Sequence, residues 1–118
     1  MNNRLERVNS QIKRILSNLI ANEIKDPRLK GFISISNIDT SKDLSHCKVF
    51  ISIFGVNEEE KQTTFNVLRN SVPFLRKSLA HSLDTRITPE LHLFLHEGMK
   101  ESDKIEKILN SLNLNKEE

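Results

Sequence analysis

The chain has 118 residues and a formal net charge of +2, with 36% hydrophobic and 29% charged residues. That length suits a single domain with a core large enough to stand without disulfides or metal, and the one cysteine, Cys47, has no partner for an internal bridge. No apolar run approaches the ~18 residues of a membrane span, and the opening MNNRLERVNSQIKRIL has neither an apolar signal core nor a small-residue cleavage site, so a cytoplasmic location is expected.

In chain order, the first element predicted is a helix over 4–24. Leu5, Val8, Ile12, Ile15, Leu16, Leu19 and Ile20 recur at the three-and-four spacing of an apolar stripe. Arg7, Arg14 and Lys25 fall on the opposite side, with Gln11 and Asn18 between them. Pro27 ends this helix by disfavouring helical geometry at Asp26.

Residues 32–40 and 46–54 read as two strands. In HCKVFISIF, Cys47, Val49, Ile51 and Ile53 alternate with Lys48, Phe50, Ser52 and Phe54. In GFISISNID, Ile33 and Ile35 share a face but Ile38 is out of phase, which predicts a bulge near Ser36–Asn37. The polar connection TSKDLS makes the pair an antiparallel hairpin.

After the acidic stretch NEEE, read as a loop, a helix over roughly 59–71 carries Phe65, Val67 and Leu68. Val72 precedes Pro73 and is expected outside helical geometry, so a second helix starts at the proline, with Leu75, Leu79, Ser82 and Leu83 facing inward. Pro89 introduces a third strand, LHLFLH, and residues 101–112 resemble a short helix followed by a frayed tail. The expected domain plan is a body over 1–98 and an appended helix and flexible tail over 99–118.

The order helix, strand, strand, helix, break, helix, strand is that of an α+β, KH-like RNA-binding domain of type II. Its three-stranded sheet has the helices on one face.

Catalytic chemistry finds little support. No serine sits in a GxSxG-type elbow, and Cys47 is placed in the core as a small hydrophobe. No carboxylate cluster suits two metals, and three glycines, Gly31, Gly55 and Gly98, build no phosphate loop. His92 and His96 lie on one face of a strand but roughly 13 Å apart, too far to share an ion. The expectation is a protein that is not an enzyme and has no metal, cofactor or small-molecule substrate.

Charge is the stronger signal. Residues 1–30 carry +4, 31–60 carry −3, 61–90 carry +3 and 91–118 carry −2. If the two basic blocks meet in space they form a surface for a polyanion. The side chains expected to reach phosphates are Arg7, Arg14, Lys25 and Arg28 from the first block, and Arg69, Arg76, Lys77 and Arg86 from the second. Each one taken singly also reads as a solvated helix face. A second candidate surface is the sheet face with Lys48, Phe50, Phe54, His92, Phe94 and His96. Its aromatics can stack on unpaired bases, bind a partner protein, or be covered by the C-terminal helix.

Four segments carry a family resemblance: RLERVNSQIKRIL with its following DPRL, NIDTSKDLSHCKVFIS, FLRKSLAHSLDTR and RITPELHLF. In this order and spacing the chain resembles bacterial ribosome-binding factor A. The resemblance implies a monomeric KH-like domain that binds the small (30S) ribosomal subunit and its 16S rRNA late in assembly. It also implies a role in maturing the 5′ end of that RNA, needed most in the cold. Ordinary KH domains join their two helices by a GxxG loop that clamps a nucleic-acid backbone. The family replaces that loop with a kink of Ala-x-Gly type, which falls here at Ser71, Val72 and Pro73. His96 stands where the family tends to carry an aspartate.

Overall fold

A computed structural model describes residues 3–96 of the chain. The elements run α1 (Asn3–Asn22), β1 (Phe32–Thr40), β2 (His46–Phe54), α2 (Glu58–Asn70), α3 (Val72–Ser82) and β3 (Glu90–Leu95). The expected helix over 101–112, and with it the 98/99 boundary, lies outside the described residues.

Helix α1 forms because its apolar stripe has a surface to cover. Val8, Ile12, Ile15, Leu16, Leu19 and Ile20 are all buried. It ends two residues sooner than its sequence suggests: the Glu23 amide donates to the Leu19 carbonyl (2.8 Å), and the Ile24 amide reaches the same oxygen across five residues (3.1 Å), which closes the helix. Lys25 therefore leaves the helix surface it was expected to share with Arg7 and Arg14, and sits in the turn that follows.

The sheet has the order β1-β2-β3. β1 and β2 pair antiparallel, from Phe32 opposite Phe54 to Thr40 opposite Cys47, with a register shift between Ile35 and Asn37. The shift leaves Ser36 unpaired and returns Ile38 to the buried face beside Ile35, as the broken alternation predicted. β2 and β3 pair parallel, His46 opposite Glu90 through Ile51 opposite Leu95. A parallel pair needs a long crossover, and α2 with α3 supplies it. α1 packs on β1 and α3, and α3 on β3, so one face of the sheet is covered. Ile12, Leu16, Val49, Ile51, Leu68, Leu75 and Leu79 are almost fully removed from water in the core between them. Each contributes about 1.5–3 kcal/mol relative to exposure.

The acidic NEEE stretch is the start of α2, not a loop. The Asn57 side chain accepts from the Glu60 amide (2.8 Å) and the Glu60 carboxylate accepts from the Asn57 amide (3.3 Å). Such a reciprocal cap satisfies two amides with no helical partner, and Glu58, Glu59 and Glu60 complement the positive end of the helix dipole.

Val72 is likewise helical, and the break between the helices is Ser71, with φ −89° and ψ 0°. Pro73 occupies the first turn of α3, where an amide would have no helical partner. Continuing α2 through it would drive the pyrrolidine ring against the Arg69 carbonyl. Ser71 Oγ donates back to the Val67 carbonyl (2.8 Å), so the hinge residue closes α2 instead of capping α3. Leu75, Leu79 and Leu83 are buried, whereas Ser82 is exposed because α3 ends there and Leu83 is already extended.

Gly31 opens β1 at φ 81°, and a Cβ there would stand 2.5 Å from the Phe54 carbonyl oxygen. Beside it, Thr64 of α2 is wholly buried. Its hydroxyl accepts from the Lys30 amide (2.9 Å) and donates toward the Arg28 and Lys30 carbonyls (3.4 and 3.3 Å). One hydroxyl thus fastens the loop before β1 to the crossover. Thr64→Val keeps the shape but strands the Lys30 amide, and urea denaturation should show a loss of about 1–3 kcal/mol. An unchanged midpoint would mean that the loop finds another partner.

Candidate nucleic-acid interface

Three of the predicted phosphate-binding residues lie around two shallow recesses. Arg86, from the segment between α3 and β3, lines a recess of about 510 Å³ with Arg4 of α1 and Lys42 of the hairpin turn. Arg76 and Lys77 of α3 line another, with Pro73, Ala80 and Thr88. Arg4 and Lys42 were not singled out in the sequence. Only the hairpin and the return from α3 carry them to Arg86.

The turn that presents Lys42 is held by Asp43, which also lines the first recess. Its carboxylate accepts from the hydroxyls of Ser41 (2.8 Å) and Ser45 (2.6 Å) and from the Ser45 amide (3.1 Å). These bonds, the Ser45 hydroxyl first, hold its pKa down at about 2. Leu44 in the same turn takes φ 63°, unusual for a residue with a branched side chain, and buries itself in the core.

Other predicted cations are placed differently. Arg28 is paired with Asp26 through its Nε (3.1 Å) and one terminal nitrogen (2.8 Å), and the Asp26 carboxyl is held down at about 2, chiefly by that side-chain bond. Arg28 also shares a recess with Glu59 and Glu60, so its charge is largely answered. Arg76 donates to the Thr88 carbonyl (3.0 Å), which ties α3 to the approach to β3. Arg69, at the end of α2, lies beside Val72, His92 and Phe94. Arg7, Arg14 and Lys25 are exposed, and Lys25 borders a recess lined by Ile20, Ile24 and Phe32. Apart from Arg28, none of the eight makes an ion pair with a described residue.

The sheet face away from the helices carries an aromatic set. Phe50 and Phe94 stack with ring centroids 5.4 Å apart. Phe32, Phe54 and Phe94 are 70%, 48% and 44% exposed. Phe32 belongs to this set because it pairs with Phe54 across the ladder. Residues 99–118, the expected cover, lie outside the described residues. On the same face Ser36 Oγ lies 3.0 Å from His96 Nδ1, and His46 Nδ1 lies 3.0 Å from His92 Nε2. Spacing in the sequence sets His92 on one face with His96 but too far from it to share an ion. The parallel register instead sets His92 beside His46.

A family model described as ribosome-binding factor A matches residues 4–109. A ribosome-binding factor A of Caldicellulosiruptor bescii is 40% identical over 116 residues, covering 98% of this chain and 88% of the relative. One from Clostridium botulinum is 38% identical over 112 residues, covering 95% and 92%. The chain belongs to the ribosome-binding factor A family.

Solved structures agree in fold. The solution structure of a Thermotoga maritima protein described as a candidate ribosome binding factor A superposes with a TM-score of 0.69 at 29% identity, covering 85% of this chain and 95% of that one. The crystal structure of ribosome-binding factor A from Thermus thermophilus gives 0.66 at 26% identity, covering 77% and 93%. The fold is thus the KH-like fold of ribosome-binding factor A, with the break between α2 and α3 at Ser71.

In this member of the family the hairpin turn beside the recess should be acid-sensitive. Asp43 binds its proton less readily in the folded chain, at about 2, than at its ordinary 3.8, so the stability it lends is complete above about pH 4 and drains away as pH falls toward 2. Asp43→Asn should flatten the fall of stability over that window, measured by urea denaturation at a series of pH values. An unaltered slope would assign the acid sensitivity to other carboxylates.

Proposed function

We propose that this chain is a non-enzymatic assembly factor that acts as a monomer on the small ribosomal subunit and contacts its 16S rRNA. One observation carries the reading. The chain matches the ribosome-binding factor A family over nearly its whole length, and coordinates of the Thermus thermophilus member have been fitted into a cryo-EM map of a 30S complex. That member aligns here with a TM-score of 0.61 at 26% identity, covering 80% of this chain and 93% of that one. Late maturation of the subunit, including the 5′ end of the rRNA precursor, is the function we assign, most needed in the cold, and the cytoplasm is its place.

The chemistry of binding follows from the cations. Arg86 with Arg4 and Lys42, and Lys77 beside Arg76, offer guanidinium and ammonium groups around open recesses. Arg7, Arg14, Lys25 and Arg69 extend the positive surface. Such groups fix position by shape and charge and read no base sequence. Arg28 and Arg76 contribute less, because their donors already serve Asp26 and Thr88.

A second reading rests on the exposed Phe32, Phe54 and Phe94, which suit a partner protein. Nuclease treatment of the captured complex separates the two: loss of the partner supports RNA, and retention supports a protein contact.

Affinity for isolated small subunits should fall steeply with salt. Six to ten phosphate contacts correspond to about 10³–10⁵-fold between roughly 50 and 200 mM. Lys42→Glu with Arg86→Glu should weaken binding and lower the slope of log K against log salt by about 1 per contact removed. A flat profile in the unaltered protein would remove the electrostatic mechanism.

A further inference from the structure

We propose that His46, Glu90 and His92 form a site for a divalent transition-metal ion of the zinc class, on the sheet face opposite the helices. His46 Nδ1 is 3.0 Å from His92 Nε2 and 3.5 Å from Glu90 Oε2, and His92 Nε2 is 3.9 Å from the same carboxylate oxygen. A point equidistant from three atoms so spaced lies about 2.0 Å from each, which is the length of a zinc–imidazole or zinc–carboxylate bond. The donors need almost no rearrangement to share one ion.

The ladder holds them there. Parallel pairing sets His46 opposite Glu90, and Glu90 and His92, two apart on β3, point to one face. The Glu90 amide donates to the Ser45 carbonyl (2.9 Å), and the His46 amide to Ser41 Oγ (3.1 Å), which is itself tied to Asp43. The three side chains are therefore planted on a rigid backbone though they stand in solvent, 57%, 57% and 44% exposed. The alternative is a plain hydrogen bond between two neutral rings. It accounts for the 3.0 Å contact, but gives no role to the Glu90 carboxylate, whose oxygen lies 3.5 and 3.9 Å from the two ring nitrogens. An ion satisfies all three at once.

Two imidazoles and a carboxylate favour zinc and its neighbours over magnesium or calcium, which prefer oxygen ligands. Three protein ligands leave a fourth position open to water or to a donor from a bound partner. The ion would clip the first residues of β3 to those of β2, at the edge of the sheet. Cys47, next to His46, is buried on the other face and takes no part.

Isothermal titration of the untagged full chain with Zn²⁺ should give one site per chain, and Mg²⁺ should give none. Zinc should also raise the melting temperature, since it binds only the folded arrangement. Removing a group that merely supports a ligand costs about 10–100-fold in metal affinity. His46→Ala and His92→Ala, which remove ligands, should each weaken binding at least ~10-fold, and Glu90→Gln should also weaken it. His81→Ala and His96→Ala should bind as the unaltered chain does. All three ligands are exposed, and circular dichroism will verify that the variants fold. Absence of zinc binding, or binding undiminished in the His46→Ala/His92→Ala double variant, overturns the proposal. The outcome is independent of RNA binding, so it does not hang on the ribosomal reading.

Discussion

The constraint on which the rest of the molecule depends is that β2 is hydrogen-bonded along both edges while its inner face is sealed. Cys47, Val49, Ile51 and Ile53 are all buried. β1 takes one edge antiparallel and β3 the other parallel. The parallel edge forces a crossover over the sheet. Here that crossover is built of two helices, divided because Pro73 cannot carry α2 onward. The hinge at Ser71, the burial of Leu75 and Leu79 against α1, and the return through Thr88 and Pro89 all follow from that one arrangement. The bulge at Ser36 serves it too, by letting a strand with two phases of isoleucine bury both on the same side.

The same arrangement sorts the charge. Acidic residues that look like a repelling block in the sequence are used up locally: Glu58, Glu59 and Glu60 on the α2 dipole, Asp26 on Arg28, Asp43 on two serines. Asp26 takes up the charge of Arg28, whereas Asp43, bonded only to neutral groups, stays ionised in the recess it lines with Lys42 and Arg86. Three cations, Arg4, Lys42 and Arg86, thus outnumber the one carboxylate lining that recess, and a polyanion would meet a net positive charge there.

Much of this was legible beforehand, and for identifiable reasons. Periodicity located every described element, because α1 and β2 have unbroken apolar faces, and the single phase error in β1 is the signature of a bulge. What escaped depends on contacts between residues distant in the chain. Val72 was expected to break the helix and Ser71 does so instead, since the rule that a residue before proline avoids helix is a tendency that the first turn of a helix overrides; only the resemblance had put Ser71 in the kink. Ser82 kept the spacing of an inward position, but the helix stopped before that face was built. Lys25 lost its place on the basic face when α1 closed two residues early. Arg28 and Arg76 look like free cations in a sequence. Their partners, a neighbouring carboxylate and a carbonyl twelve residues on, emerge only with side-chain geometry. The meeting of His46 with Glu90 and His92 required the parallel register, which periodicity within a strand does not encode.

Cys47 is the one thiol in the chain and is completely enclosed, with burial raising its pKa above the ordinary range. The reactive species is the thiolate, so a thiol both enclosed and kept protonated is inert while the sheet is intact. It can be alkylated only when β2 itself is exposed. The chain thus carries an internal reporter of its rarest fluctuation: slow labelling by an excess of reagent would count openings of the central strand, with and without a bound partner.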